Sequence, residues 1–230
     1  LGAPMDVLWF GLPRLSSDPG QALGRINCGK ILVMIDRGTY WQCGYVIPKG
    51  AFEAIQRAGI ERFCQDVARL APFMRERLKE IGNWNDVRLL RVKVDRLRKW
   101  HQPGLLCIGD AAHAMSPIGG VGINLALQDA IAAANILAGP LGQRQLCDDD
   151  LAAVQRRREF PTRVIQRMQV LIQNRIIGRV LERTAGSKME APWPLRVLGR
   201  LPILQRLPAY LVGVGVRPEH VRTPSLGKRL

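Results

Sequence analysis

At 230 residues with a hydrophobic share of 47%, the chain is long enough for one sizeable core or two small domains, and its composition excludes collagen, coiled coil and wholesale disorder. Its apolar runs are interrupted by charge or proline short of the roughly 20 residues of a membrane span, and the opening LGAPMDVLWF lacks the basic-then-apolar pattern of a secretory leader. The net charge of +15 is concentrated in residues 151–230, which hold 16 Lys/Arg against 4 Asp/Glu.

In chain order, Met5–Leu12, Lys30–Asp36 and Thr39–Pro48 are rich in β-branched and aromatic residues and read as strands of an antiparallel sheet. Asp36-Arg37-Gly38 supplies a tight turn between the last two. The third strand alternates, with Trp41, Cys43, Tyr45 and Ile47 on one face and Tyr40, Gln42, Gly44 and Val46 on the other. Trp41, Gln42 and Tyr45 are read as sheet packing in preference to pocket lining. Phe52, Ile55, Ile60, Phe63, Val67 and Leu70 then recur at helical spacing, and Pro72 opens a second helix through Leu78. Val87–Val94 alternates again as a strand. Gly104–Gly109 is a continuous apolar run that suits a strand buried on both faces of an α/β sheet. Ile123–Ala138 is an alanine-rich helix stopped by Gly139-Pro140. Residues 148–183 form a long basic helical stretch with a break at Pro161, and 184–230 are punctuated by proline.

The cysteines, Cys28, Cys43, Cys64, Cys107 and Cys147, are odd in number and lack C-x-x-C spacing, which fits reduced thiols in a cytoplasmic protein. Three histidines without ligand spacing give no metal site. No RNP, zinc-finger or helix-turn-helix pattern accompanies the basic C-terminal part, so no nucleic-acid partner is expected. Ordinary helix packing, an anionic membrane surface and homodimer contacts remain open for it.

One segment stands above the rest: Leu105–Ala130, LLCIGDAAHAMSPIGGVGINLALQDA. It reads as a strand, an acidic residue at the strand's carboxyl end, a glycine-rich loop and a helix. Ligands of open α/β sheets bind at that end of the strands. Gly119, Gly120 and Gly122 let backbone approach a ligand closely, and the N–H groups at the start of the helix, around Gly122, Ile123 and Asn124, attract negative charge.

This segment resembles the second flavin-binding motif of the FAD-dependent monooxygenases of the para-hydroxybenzoate hydroxylase type. The matching residues are Gly109-Asp110-Ala111-Ala112-His113, Pro117, Gly119, Gly122 and Asn124. The resemblance implies that Asp110 holds ribityl hydroxyls of FAD, and that the amides of Gly122, Ile123 and Asn124 stabilise charge on the reduced flavin. The cofactor residues it marks are Gly109, Asp110, Pro117, Gly119, Gly120, Gly122, Ile123 and Asn124. His113 is implied to be a structural neighbour of the loop, and no catalytic side chain is assigned. Arg96-Leu97-Arg98-Lys99-Trp100 is similar to the basic-plus-Trp approach to the motif in that family.

The family's N-terminal G-x-G-x-x-G unit is absent, so the chain is expected to correspond to the C-terminal part of such an enzyme. The expected fold is α/β: a partial FAD-binding Rossmann-like domain plus an antiparallel substrate-domain sheet, with a helical C-terminal tail. Residues 1–86 are assigned to the sheet and its helices, 87–147 to the FAD-binding part and 148–230 to the basic tail. The implied activity is NAD(P)H-dependent hydroxylation of a small organic substrate, aromatic or lipophilic. The alternatives are a related flavoprotein with other chemistry, such as a halogenase or saturase, and an inactive fragment or non-enzymatic binding module.

Overall fold

The computed structural model describes residues 3–20, 23–27, 29–181, 210 and 213–222. They fall into two compact units. One runs to Val92 and includes the segment from Leu171; the other comprises Lys93–Val170 and the described C-terminal residues.

The first unit is built on a five-stranded antiparallel sheet of order β2-β3-β4-β1-β5. Its strands are β1 (Met5–Pro13), β2 (Leu23–Asn27), β3 (Lys30–Asp36), β4 (Tyr40–Pro48) and β5 (Arg88–Leu90). The β3–β4 turn forms where Gly38 takes φ 84° and its N–H donates to Asp36 Oδ1 at 2.8 Å. β2 was not expected from LGRIN, which is short and half polar; it is recruited by Ile31–Met34 pairing with Leu23–Ile26. The expected strand Val87–Val94 shrinks to Arg88–Leu90, because only these residues find a partner, Val7–Trp9 of β1. That pairing places β5 with the antiparallel sheet and moves the division between units from 86/87 to 92/93.

One face of the sheet is covered by helices α1 (Phe52–Arg57) and α2 (Ile60–Leu70) and by 3-10 turns at Pro72–Met74 and Arg77–Glu80, which replace the second helix expected there. Gly59, at φ 93°, separates α1 from α2. Trp41, Cys43, Tyr45 and Ile47 all point into this core, as their alternation requires, and meet Phe63, Val67, Met74 and Leu78. Phe63 packs edge-on against both Phe10 and Tyr45 at 5.5 Å. Each large side chain buried here contributes about 1.5–3 kcal/mol relative to exposure. Trp41 and Tyr45 are therefore core residues, in line with the packing reading.

Two buried carboxylates tie the unit together. Asp6 accepts from Lys49 Nζ at 2.7 Å and from the N–H groups of Gly50 and Val92 at 3.1 and 2.9 Å. Asp18 takes a bidentate pair from Arg77 and the indole N–H of Trp41 at 2.8 Å. Buried charges persist when satisfied in this way.

The second unit holds a two-stranded ribbon, β6 (His101–Gln102) with β7 (Leu105–Leu106), and helices α3 (Val121–Gly142) and α4 (Asp148–Ile172). The strand expected over Gly104–Gly109, buried on both faces, is only Leu105–Leu106, with Leu105 48% exposed. A strand is buried on both faces when other elements cover both faces of its sheet, whereas among the described residues β7 pairs with β6 alone in a two-stranded ribbon.

α3 does not stop at Gly139-Pro140. It continues to Gly142 with Pro140 inside, and ends where Arg144 adopts φ 56°. The 118–142 stretch is thus long and apolar enough to cross a membrane by length and composition, contrary to expectation. Its Asp129, fully buried and ion-paired to another helix, marks it as an element of the fold. α4 likewise runs unbroken through Pro161, and the Thr162 hydroxyl donates to the Arg158 carbonyl at 2.9 Å just beyond the proline. Residues 148–170 belong to the same unit as 93–147 and are no separate tail. A π-helical turn follows at Gln173–Gly178. Most of the proline-punctuated part of the tail, including residues 195–207, lies outside the described residues.

Candidate functional site

The segment from β7 into α3 has the order anticipated from sequence: a short strand, a 3-10 turn at Gly109–Ala111, a loop, a second 3-10 turn at Ile118–Gly120, and the helix. Gly109 takes φ 57°, and a Cβ there would lie 3.0 Å from the Ala126 Cβ. Its glycine is required twice, for conformation and for close approach to α3. Asp110 follows immediately, with an exposed carboxylate that makes no hydrogen bond among the described residues. Pro117 accepts the Gly120 N–H at 3.1 Å.

Gly119 and Gly120 are both left-handed, at φ 76° and 62°, and both are exposed. No side chain caps α3, so the N–H groups of its first turn, including Gly122, Ile123 and Asn124, carry the helix's positive end. A Cβ on Gly122 would sit 3.5 Å from Met115 Cβ, an ordinary contact. The chain's own packing therefore does not demand glycine at 122. Ile123 is 74% exposed and its side chain packs on little of this unit.

The loop is held from behind by residues that sequence reasoning did not single out. The Asp129 carboxylate, buried on α3, accepts the Gly109 N–H at 3.0 Å, meets His113 Nε2 at 2.6 Å and takes Arg158 Nε of α4 at 2.9 Å. Burial pushes this carboxyl up, but the bonds from His113, Arg158 and Gly109 outweigh it and hold it below the ordinary Asp range. His113 is equally buried and turned toward Asp129, which makes it a structural neighbour of the loop. Two amides on α4 complete the frame. Gln169 donates to the carbonyls of Ser116 and Ile118 at 2.9 and 3.1 Å and accepts from Ser116 N–H. One turn earlier, Gln166 donates to the carbonyls of Asp95 and Ala114 at 2.6 and 3.1 Å and accepts from Arg96.

In the basic-plus-Trp cluster Leu97, Arg98 and Lys99 are exposed, while Arg96 and Trp100 turn inward. Trp100 is buried, with its ring 5.1 Å from that of His113, and Arg96 pairs with Gln166 and Glu159. The signal that could have found the frame is the pair of glutamines three residues apart facing the core of an otherwise charged helix.

The geometry is that of an anion- and hydroxyl-binding turn: a free carboxylate, two left-handed glycines and an uncapped helix start, all on a rigid support. A family model described as "FAD binding domain" matches residues 30–168. The 6-methylpretetramide 4-monooxygenase of Streptomyces rimosus is 37% identical over 179 residues, 76% of this chain and 42% of that protein. A kynurenine 3-monooxygenase of Stenotrophomonas maltophilia is 35% identical over 107 residues, 44% of this chain and 23% of the relative. Among solved structures, PqsL, a probable FAD-dependent monooxygenase from Pseudomonas aeruginosa, is similar with a TM-score of 0.63 at 17% identity, over 79% of this chain and 51% of that one. The tetracycline destructase Tet(55) is similar over 94% of this chain and 55% of its own, with a TM-score of 0.62 at 16% identity. The chain spans about half the length, or less, of the proteins it matches.

Proposed function

The chain belongs to the FAD-binding domain family of the monooxygenases, and from that premise we propose that it supplies the ribityl- and ring-binding half of a flavin site in an enzyme that hydroxylates a small organic molecule. The observation that carries this reading is the loop Gly109–Asn124, with its exposed Asp110, paired left-handed glycines and uncapped helix start. FAD, when bound, supplies electron transfer from NAD(P)H and the activation of oxygen. The residues present fit it. Asp110 accepts hydrogen bonds from ribityl hydroxyls, and Gly119 and Gly120 keep side chains out of the way. The first-turn amides of α3 stabilise negative charge on the ring through the helix's positive end. Asp129, Gln166 and Gln169 keep these groups in place without touching the cofactor.

We assign no acid, base or nucleophile to this chain, and its proposed contribution to catalysis is binding and electrostatics. The substrate is a small organic molecule, aromatic or lipophilic, in keeping with the small organic substrates named for the relatives. The free thiols Cys43, Cys64, Cys107 and Cys147 support a cytoplasmic location. Membrane contact is not favoured over the described part of the basic stretch. Its Arg157 pairs with Glu219, Arg158 is buried against Asp129, and Arg163 pairs with Glu159.

The test joins the chain to the complementary N-terminal half of the Streptomyces rimosus relative. FAD content and NAD(P)H-driven product formation are then compared with the Asp110→Ala form. Retention of FAD by the unsubstituted protein and its loss in Asp110→Ala supports the reading. A folded chimera that takes up no FAD, or whose Asp110→Ala form takes it up equally well, overturns it.

A further inference from the structure

A cavity of about 640 Å³ opens on the first unit between α2 and the 3-10 segment that follows it. It involves none of the residues of the glycine loop. Its size lies within the range of small-molecule sites. The chain reverses at Leu70–Pro72, so α2 and the following segment run antiparallel along its two walls. Cys64 Sγ, 3.6 Å from the Leu78 carbonyl, fixes the middle of the groove. Arg69 and Arg75 therefore lie together at the turn end, and Glu61 lies at the far end with Ile60 and Ile81. The two ends are roughly 12 Å apart along the helix, eight residues at the α-helical rise. The floor is apolar, with Ala68, Leu78 and Ile81 all buried.

The cations at the turn end are not equivalent. Arg69 is engaged by Asp66 at 3.2 Å. Arg75 is exposed and has no ion pair or hydrogen bond among the described residues. The rim also carries Gln65 and Lys79, the latter paired with Glu76, so an unpaired guanidinium at one end of a trough about 12 Å long with an apolar floor is complementary to an elongated apolar chain ending in a carboxylate. The acidic residue lies at the end where such a ligand carries no anion.

The geometry points to the groove between α2 and Arg75–Gly82 as a binding site for an amphipathic carboxylate, seated with its anionic end on Arg75 and its apolar body over Ala68, Leu78 and Cys64. This site is independent of the flavin reading. Its occupancy can be followed through Cys64, which lines the cavity and whose thiol is pushed up, first by burial and then by Glu61.

The test uses the 230-residue chain and measures alkylation of each cysteine by iodoacetamide with peptide-resolved mass spectrometry. Decanoate is the probe and decanol its uncharged counterpart. Cys107, half-buried and outside the cavity, is the internal reference. Decanoate is expected to slow alkylation of Cys64 several-fold with no change at Cys107, while decanol at equal concentration does not. Arg75→Ala is expected to raise the decanoate concentration needed by about tenfold or more, the loss of one charge-assisted bond. Gln65→Trp, an exposed position that fills the groove without disturbing the core, should abolish the effect with thermal unfolding unchanged. Absence of protection at Cys64, equal protection by decanol, or an unaltered response in Arg75→Ala or Gln65→Trp overturns the proposal.

Discussion

Asp129 accepts the backbone N–H of Gly109 at 3.0 Å, twenty residues back along the chain, and so fixes the point at which β7 turns into the glycine loop. The same carboxylate neutralises Arg158, which is fully buried. Replacing Asp129 with alanine removes the closer of that guanidinium's two counter-charges and leaves Glu219 at 3.5 Å, and breaking a buried pair in this way costs up to about 3–5 kcal/mol. Asp129→Ala is expected to unfold at lower denaturant concentration by that amount. Asp129→Ala combined with Arg158→Met should recover part of it, because both charges are then removed. Chemical denaturation of the two forms measures the difference, and equal stability of the single and double variants would dismiss the pairing.

The close approach of Gly109 to Ala126 gives a second expectation. Gly109→Ala adds a Cβ at 3.0 Å from Ala126 Cβ at a backbone angle of 57°, and is expected to cost on the order of 1–3 kcal/mol. Ala126→Gly in the same chain relieves the contact but not the angle. The double variant should therefore be more stable than the sum of the single effects implies, which a double-mutant cycle reads directly.

Acid sensitivity of the first unit should centre on Asp18. Burial raises its carboxyl, yet the Arg77 guanidinium, the Leu15 N–H and the Trp41 indole bring it down to about 2. The folded value lies below the unfolded one of about 3.9, so the pair's stability is fully present above pH ~4 and is lost as pH falls toward 2. The expected loss is on the order of 2 kcal/mol. In Asp18→Asn that part of the pH dependence should vanish, as followed by tryptophan fluorescence across the acid range. An unchanged acid transition would take Asp18 out of the account.

How far the sequence speaks depends on where a residue's partners lie. The loop was legible because Asp110, Gly119, Gly120 and Gly122 act through their own backbone and short-range spacing. The alternation of Trp41, Cys43, Tyr45 and Ile47 likewise reports its face directly. Gln166 and Gln169 were invisible, since their carbonyl partners lie 51 to 71 residues away. Asp129 looked like the polar residue of an alanine-rich helix until Arg158 arrived from the next one. Pro140 and Pro161 were read as breaks, and both stand inside helices because tertiary packing outweighs the cost of one lost bond. In the sequence Gly44 is only one member of an alternating face. A Cβ there would meet the Trp9 ring at 3.1 Å, a cross-strand contact that no local pattern encodes.

Asp110 should behave oppositely to Asp129. It is exposed and unbonded among the described residues, so Asp110→Ala is expected to leave unfolding unchanged within about 0.5 kcal/mol. Flavin affinity, in contrast, should fall by about one to two orders of magnitude, the worth of one or two charge-assisted hydrogen bonds. A variant that loses stability while keeping its affinity would reverse the roles assigned to the two aspartates.

The most direct measurement is a titration of the isotopically labelled 230-residue chain with FAD, followed through its backbone amide resonances. The chain covers about half of its relatives, so binding is expected to be weak, without stoichiometric yellow protein on purification. The amides that move should be those of Gly109–Asn124, and Asp110→Ala should diminish the shifts. Shifts that avoid this loop, or a loop response identical in Asp110→Ala, would contradict the assignment of Gly109–Asn124 as the flavin site.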